Sequence, residues 1–141
     1  MKKYMINALY VDGYERFAVI KGMDYDVEFT VHFLDCEEYV EAGSASQEIR
    51  VGDVLEGKIS VDLVTVSQKT DEEVMHRQTI EKSPHVEAVV YVYQVVDAYS
   101  IYAISSIANE KILIEFEDKV NYREGDRIYI EGSLEMTLAN G

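Results

Sequence analysis

Apolar residues recur at every second position over most of this chain, which is the period of a strand with one packed face and one wet face. Tyr25, Val27, Phe29, Val31 and Phe33 alternate with Asp24, Asp26, Glu28, Thr30 and His32, the cleanest such pattern in the sequence. Tyr4–Val11 and Arg16–Ile20 flank an Asp12-Gly13 turn signal and read as a hairpin. Leu34–Val40 is ambiguous, and Gly43-Ser44-Ala45-Ser46 is a loop. Ile49–Val66 reads as one long or bent strand with Gly52 and Gly57 as hinges.

Val86–Val96 has almost no polar residue after Glu87 and is rich in β-branched and aromatic side chains, which suit a pleated packed surface. Apolar side chains on both faces imply a strand covered on both sides or one wall of a small closed barrel. The run is far shorter than the roughly 20 apolar residues of a membrane helix. Tyr99–Ile107, Ile112–Phe116 and Arg127–Leu138 continue it as a meander, the short first gap favouring antiparallel pairing. Between these halves, Thr70-Asp71-Glu72-Glu73 fits a helix capping box. The segment from Asp71 to about Glu81 therefore reads as a short helix or a partly ordered loop, closed by Pro84. The chain as a whole reads as all-β: an antiparallel barrel or coiled sandwich of about eight strands with at most one short helix. Its 141 residues, 48% hydrophobic, form one β domain with a possible seam near 43–48.

The segment Gly125-Asp126-Arg127-Ile128-Tyr129-Ile130-Glu131-Gly132-Ser133-Leu134 resembles the glycine-flanked strand common in OB-fold domains, including single-strand-binding proteins. The resemblance implies an OB-like closed barrel in the C-terminal half. The gap from Ile107 to Lys111 has no room for the helix usual after the third strand of that fold. Gly52-Asp53-Val54-Leu55-Glu56-Gly57-Lys58-Ile59 has a similar shape 73 residues earlier. That spacing reads either as a repeated β-unit or, more simply, as one turn-into-strand solution used twice.

Charge changes the picture most. The chain has 27 acidic and 13 basic residues, a net charge of −14. The stretch from Lys21 to Glu73 holds 14 acidic and 4 basic residues. Such a field repels phosphate backbones and attracts cationic surfaces. Nucleic acid is an unfavoured partner on this ground, and a protein with a basic surface is a favoured one. Asp24, Asp26, Glu28, Glu37, Glu38 and Glu41, with Tyr39 among them, are the candidate partner-binding residues. Eleven tyrosines and no tryptophan stand beside this acidity. Tyr91 and Tyr93 share a strand face, with Tyr102 and Tyr129 as candidate neighbours. These suit protein recognition or, with a basic groove, base stacking.

Catalytic and metal chemistry find little support. No phosphate-binding, dinucleotide-binding or nucleophile-elbow glycine motif occurs. Asp24, Asp26 and Glu28 have calcium-like spacing, but Phe29 stands where the EF-hand loop needs glycine. His32 and Cys36 are two ligands where structural zinc takes four. Cys36 reads as a core residue and His32 as a surface one, and neither a metal nor another cofactor is expected. With a single cysteine no intrachain disulfide forms. Met1-Lys2-Lys3 is followed by a short apolar stretch that runs into Asp12 without a cleavage site, so the reading is cytoplasmic with no membrane association. The functional expectation is a non-enzymatic interaction module, of inhibitor or immunity type, for a basic nucleic-acid-acting protein. The alternatives are an OB-like binder of single-stranded nucleic acid or oligosaccharide, and a small-molecule-binding barrel or enzyme. Tyr4–Val11, as an edge strand, offers a route to a homo-oligomer.

Overall fold

The computed structural model describes residues 2–139, which hold nine strands and no helix. They are β1 (Lys2–Asp12), β2 (Glu15–Gly22), β3 (Glu28–Leu34), β4 (Val54–Lys69), β5 (Met75–Arg77), β6 (His85–Asp97), β7 (Ser100–Ile104), β8 (Ile112–Phe116) and β9 (Arg127–Leu138). The all-β, barrel-like reading holds. The alternation at Phe29, Val31 and Phe33 places all three in the core, with Tyr25 and Val27 packed against it.

The sheet closes on itself twice. β1, β2, β3, β9 and β4 follow one another and return to β1, and β6, β7, β8, β4 and β9 return to β6. Each ring consists of a three-strand antiparallel meander and the same two long strands. Two five-stranded barrels therefore share the antiparallel pair β4–β9. β4 has 16 residues and β9 has 12, roughly 50 Å and 40 Å of extended chain, enough for each to serve both barrels. Each long strand gives one edge to the other and divides its second edge: β4 pairs with β1 then β8, and β9 with β6 then β3.

This arrangement has an internal two-fold. It maps β1, β2, β3 and β4 onto β6, β7, β8 and β9, and the Gly-Asp spacing in the sequence marks it. Gly52 and Gly125 both take positive φ, 94° and 91°, where glycine has no Cβ penalty. Gly52 donates to the Ile6 carbonyl at 2.8 Å and Gly125 to that of Val92 at 2.9 Å. Asp53 Oδ2 accepts from the Arg50 amide, and Asp126 Oδ2 from the Arg123 amide, both at 2.9 Å. The resemblance between the two segments is thus a structural repeat, beyond a shared turn. The registers agree: Ala18 pairs with Val31 as Ile101 pairs with Ile114.

One contiguous apolar cluster runs through both barrels, with Val61 on β4 and Leu134 on β9 in its middle. The barrels are also pinned by Tyr25, whose hydroxyl donates to the Ile107 carbonyl at 3.0 Å. Arg16 is fully buried at one end of the first barrel. Its guanidinium donates to the carbonyls of Gly13, Glu15 and Glu38 at 2.9, 3.1 and 2.7 Å, tying down the loop after β3. Residues 43–48 belong to that loop.

Three expectations are corrected. Residues 70–84 form no helix: Thr70 Oγ1 accepts from the Glu72 amide at 3.2 Å, a local turn in place of the capping box, and Met75–Arg77 pairs with β6. Without a lined-up apolar stripe, pairing along β6 outcompetes a helix there. The last strand does not extend the meander beside β8 but crosses to β6 and β4. Tyr4–Val11 is an edge only in part, because Lys2–Met5 pairs with β4 as well as with the β2 side, while its later residues pair with β2 alone.

Gly132 sits where β9 passes close against β4. A Cβ there would lie 2.8 Å from the Asp62 carbonyl and from Val61 Cγ1. Gly132→Ala is expected to cost about 1–3 kcal/mol by overpacking, measured as a lower urea midpoint with an unchanged slope.

Candidate functional site

The outward positions of the shared strands form a polar centre. Ser60 and Asp62 on β4 stand directly across from Glu135 and Ser133 on β9. Their neighbours Ile59, Val61, Leu134 and Met136 point into the core, so strand alternation alone places the four polar side chains outside. The internal two-fold maps Ser60-Val61-Asp62 onto Ser133-Leu134-Glu135. Both serines donate to the acid two residues on, at 3.3 Å for Asp62 and 2.9 Å for Glu135.

The flanking strands break this symmetry. Beside Glu135, β3 contributes His32, whose Nδ1 lies 2.7 Å from Glu135 Oε1 and whose Nε2 lies 3.4 Å from Glu15 Oε1. Phe17 packs on the imidazole with ring centroids 5.0 Å apart. The bond to Glu135 holds the His32 pKa above its ordinary value, against burial acting the other way. Beside Asp62, β8 contributes Glu115 where β3 has a histidine. Asp62 is pushed up by burial first, then by Glu115 and Glu135. Among the described residues, Asp62, Glu115 and Glu135 have no lysine or arginine in ion-pair contact.

Two grooves meet over these residues. One, about 810 Å³, runs past His32, Leu34 and Glu135 toward Cys36, and the other, about 520 Å³, past Tyr102, Leu113 and Glu115. Both include Ser60, Asp62 and Thr137 in their walls. Together they make a carboxylate-lined depression across both barrels.

The residues singled out from the sequence fall elsewhere. Asp24, Asp26 and Glu28 lie at the β2–β3 turn, and Glu37, Glu38, Tyr39 and Glu41 follow β3 at its other end. The seven residues of β3 put roughly 20 Å between the groups, so they form no single patch. Asp24 pairs with Lys2 at 3.1 Å and Asp26 with Lys21 at 3.0 Å, while Glu28 accepts from Asn7 at 2.7 Å. Glu38 is turned inward. It accepts from Ser46, the Gln47 amide and Arg16, and the Ser46 bond leads in holding its carboxyl below the usual range. Tyr39 is exposed and meets Tyr14 edge to face at 5.2 Å.

Tyr91, Tyr93 and Tyr102 do come together, exposed on the outer face of the second barrel, with Lys111 Nζ 4.3 Å above the Tyr93 ring. Tyr129 stands apart. Its hydroxyl donates toward Glu87 and Glu131, both oxygens at 3.0 Å, and burial with these two acids pushes its pKa up. Cys36 is exposed, not in the core, because β3 ends before it. His32 is the covered one of that pair. No group of three or more histidine, cysteine or acidic side chains among the described residues is arranged to hold a metal ion. His76 Nδ1 lies 2.6 Å from Ser106 Oγ, a contact the sequence did not suggest. Burial holds the His76 pKa down.

Comparison with family models, with curated proteins and with solved structures finds no match to this chain. The reading of the site rests on its geometry.

The central groove was missed because its three acids come from three strands distant in sequence. The signal was there nonetheless, in two Ser-x-acid triplets at the same 73-residue spacing as the two Gly-Asp pairs.

Both halves of the groove should lose stability as pH rises, one by losing a favourable charge and the other by gaining an unfavourable one. His32, with its folded-state pKa raised, contributes stability that is complete below its unfolded value and lost as pH rises through the folded one. Asp62, also raised, destabilises the fold at neutral pH, and that penalty disappears as pH falls through its folded value. His32→Gln should therefore lower the thermal midpoint more at pH 5.5 than at pH 8. Asp62→Asn should raise it at pH 7 and leave it unchanged near pH 3, as read by thermal unfolding monitored by circular dichroism.

Proposed function

We propose that this chain is a non-enzymatic interaction module that binds a protein partner through that partner's basic surface. The observation that supports this most is the groove over β4–β9, where Asp62, Glu115 and Glu135 converge and, among the described residues, only His32 is in ion-pair contact with any of them, Lys58 and Lys111 standing in the wall without pairing to them. Carboxylates kept close together in a partly buried place carry a cost that an incoming cation relieves. No helix among the described residues is long and apolar enough to cross a membrane.

The net charge of −14 adds long-range attraction toward a cationic partner. A partner that acts on nucleic acid has such a surface, and an inhibitor that covers it would need this charge sign. The aligned tyrosines of the second barrel favour a second reading, an OB-like strand face that binds single-stranded nucleic acid or oligosaccharide. The acids bordering that face work against a phosphate backbone.

Affinity capture with the full chain at 50 mM and 500 mM salt tests the first reading. Capture of a basic partner should weaken at least tenfold at the higher salt, because paired charged faces are screened. Capture insensitive to salt, or a clear mobility shift of an oligonucleotide at low salt, would count against it.

A further inference from the structure

The internal two-fold offers a comparison inside one molecule. In the first barrel, the segment after β5 runs across the outer face of β3, β2 and β1. Gln78 binds the Thr30 backbone on β3 with both ends of its carboxamide, Nε2 to the carbonyl at 2.8 Å and Oε1 from the amide at 2.7 Å. Lys82 ends the crossing with Nζ 4.7 Å above the Tyr10 ring on β1. A cavity of about 530 Å³ lies under this strap, with Val19 of β2 in its floor.

The second barrel has the same face without a strap. Registers equate Thr30, Val19 and Ala8 with Leu113, Tyr102 and Gln94. These three line a groove of nearly the same volume, about 520 Å³, with Lys58, Glu110 and Lys111 also in its wall. The face is open: Tyr93, Val96 and Tyr102 are 45%, 49% and 37% exposed. One difference is instructive. The Leu113 edge that corresponds to the Gln78 clamp is already paired with Ser60 of β4. A guest here needs no amide clamp. It meets Asp62 and Glu115 at that end of the groove instead.

We infer that the β6–β7–β8 face of the second barrel is a docking surface for an extended, basic segment of a partner protein, laid as residues 78–82 lie across the first barrel. A cationic side chain enters between Asp62 and Glu115, and its aliphatic stem rests on Leu113 and Tyr102. A further apolar residue covers Val96. The chain's own lysines show that tyrosines in these positions accept cations, Lys82 on Tyr10 in one barrel and Lys111 on Tyr93 in the other. The inference deepens the basic-partner reading and rests on it.

The test uses the ¹⁵N-labelled full chain and a nine-residue peptide of the strap sequence, Met75 to Ser83, carrying Glu81→Lys. Titration at low salt should shift the amides of Gln94, Tyr102, Leu113 and Glu115. Tyr102→Ala and Asp62→Asn should each weaken binding about fivefold or more, with circular dichroism confirming that both variants fold. The unmodified strap peptide should bind more weakly than the Glu81→Lys form. Shifts confined to His32, Glu135 and their neighbours would overturn this inference and leave the basic-partner reading in place. No shift anywhere would overturn both. Concentration-dependent shifts at this face without peptide would assign it to a second copy of the chain. Equal shifts there with a short oligothymidylate would assign it to nucleic acid, and either result overturns the inference.

Discussion

Two strands in this protein belong to two barrels at once, and the antiparallel pairing of β4 with β9 is the contact on which the rest depends. Neither repeat owns a complete ring. The first meander is closed by its own following strand and by the last strand of the chain. The second is closed by its own following strand and by one from the first repeat. Through much of β4 and β9 the backbone therefore has a neighbour on each side, apart from irregularities such as the one between Asp62 and Val66, and the side chains beneath feed a single core. Nine strands in an open sheet would leave long edges. Here the residual edges are the short β5 and the ends of β1 and β6, which pair with β2 and β7 alone.

The same constraint creates the candidate site. Alternation fixes the inward side chains of β4 and β9 as apolar, so whatever is polar between them collects on the outer face at the two-fold. Duplication would put matching acids there. Divergence on the flanking strands then set His32 against Glu135 on one side and Glu115 against Asp62 on the other. A chain selected only for stability would remove that second confrontation, since like charges in a partly buried place oppose folding. Its presence is the ground for the proposed preference of the groove for cations. The strap across the first barrel and the bare face of the second are the other product of divergence.

The fold class was legible because period-2 alternation is a local property. Tyr25–Phe33, Ile112–Phe116 and Arg127–Leu138 emerge as strands within a few residues of their bounds. The repeat was half legible: glycine and aspartate at 52–53 and 125–126 marked it. Strand exchange between repeats left no local trace, and β9 was naturally placed beside β8. Residues 70–84 misled because a Thr-x-x-Glu pattern stabilises a helix only when an apolar stripe follows it. The candidate acids at 24–28 and 37–41 are adjacent in sequence but separated by the length of β3. The acids that do converge are distant in sequence and come together through pairing. Tyr91, Tyr93 and Tyr102 were found because a hairpin preserves proximity across a short turn.

Native-state hydrogen exchange on the full chain tests the shared-strand account most directly. The slow amides of Val31 in the first barrel and Ile114 in the second should open with the same free energy. Truncating Val61 of β4, fully buried between them, to alanine should lower both by the same amount, about 2 kcal/mol. Protection that persists in one barrel while the other exchanges would contradict it.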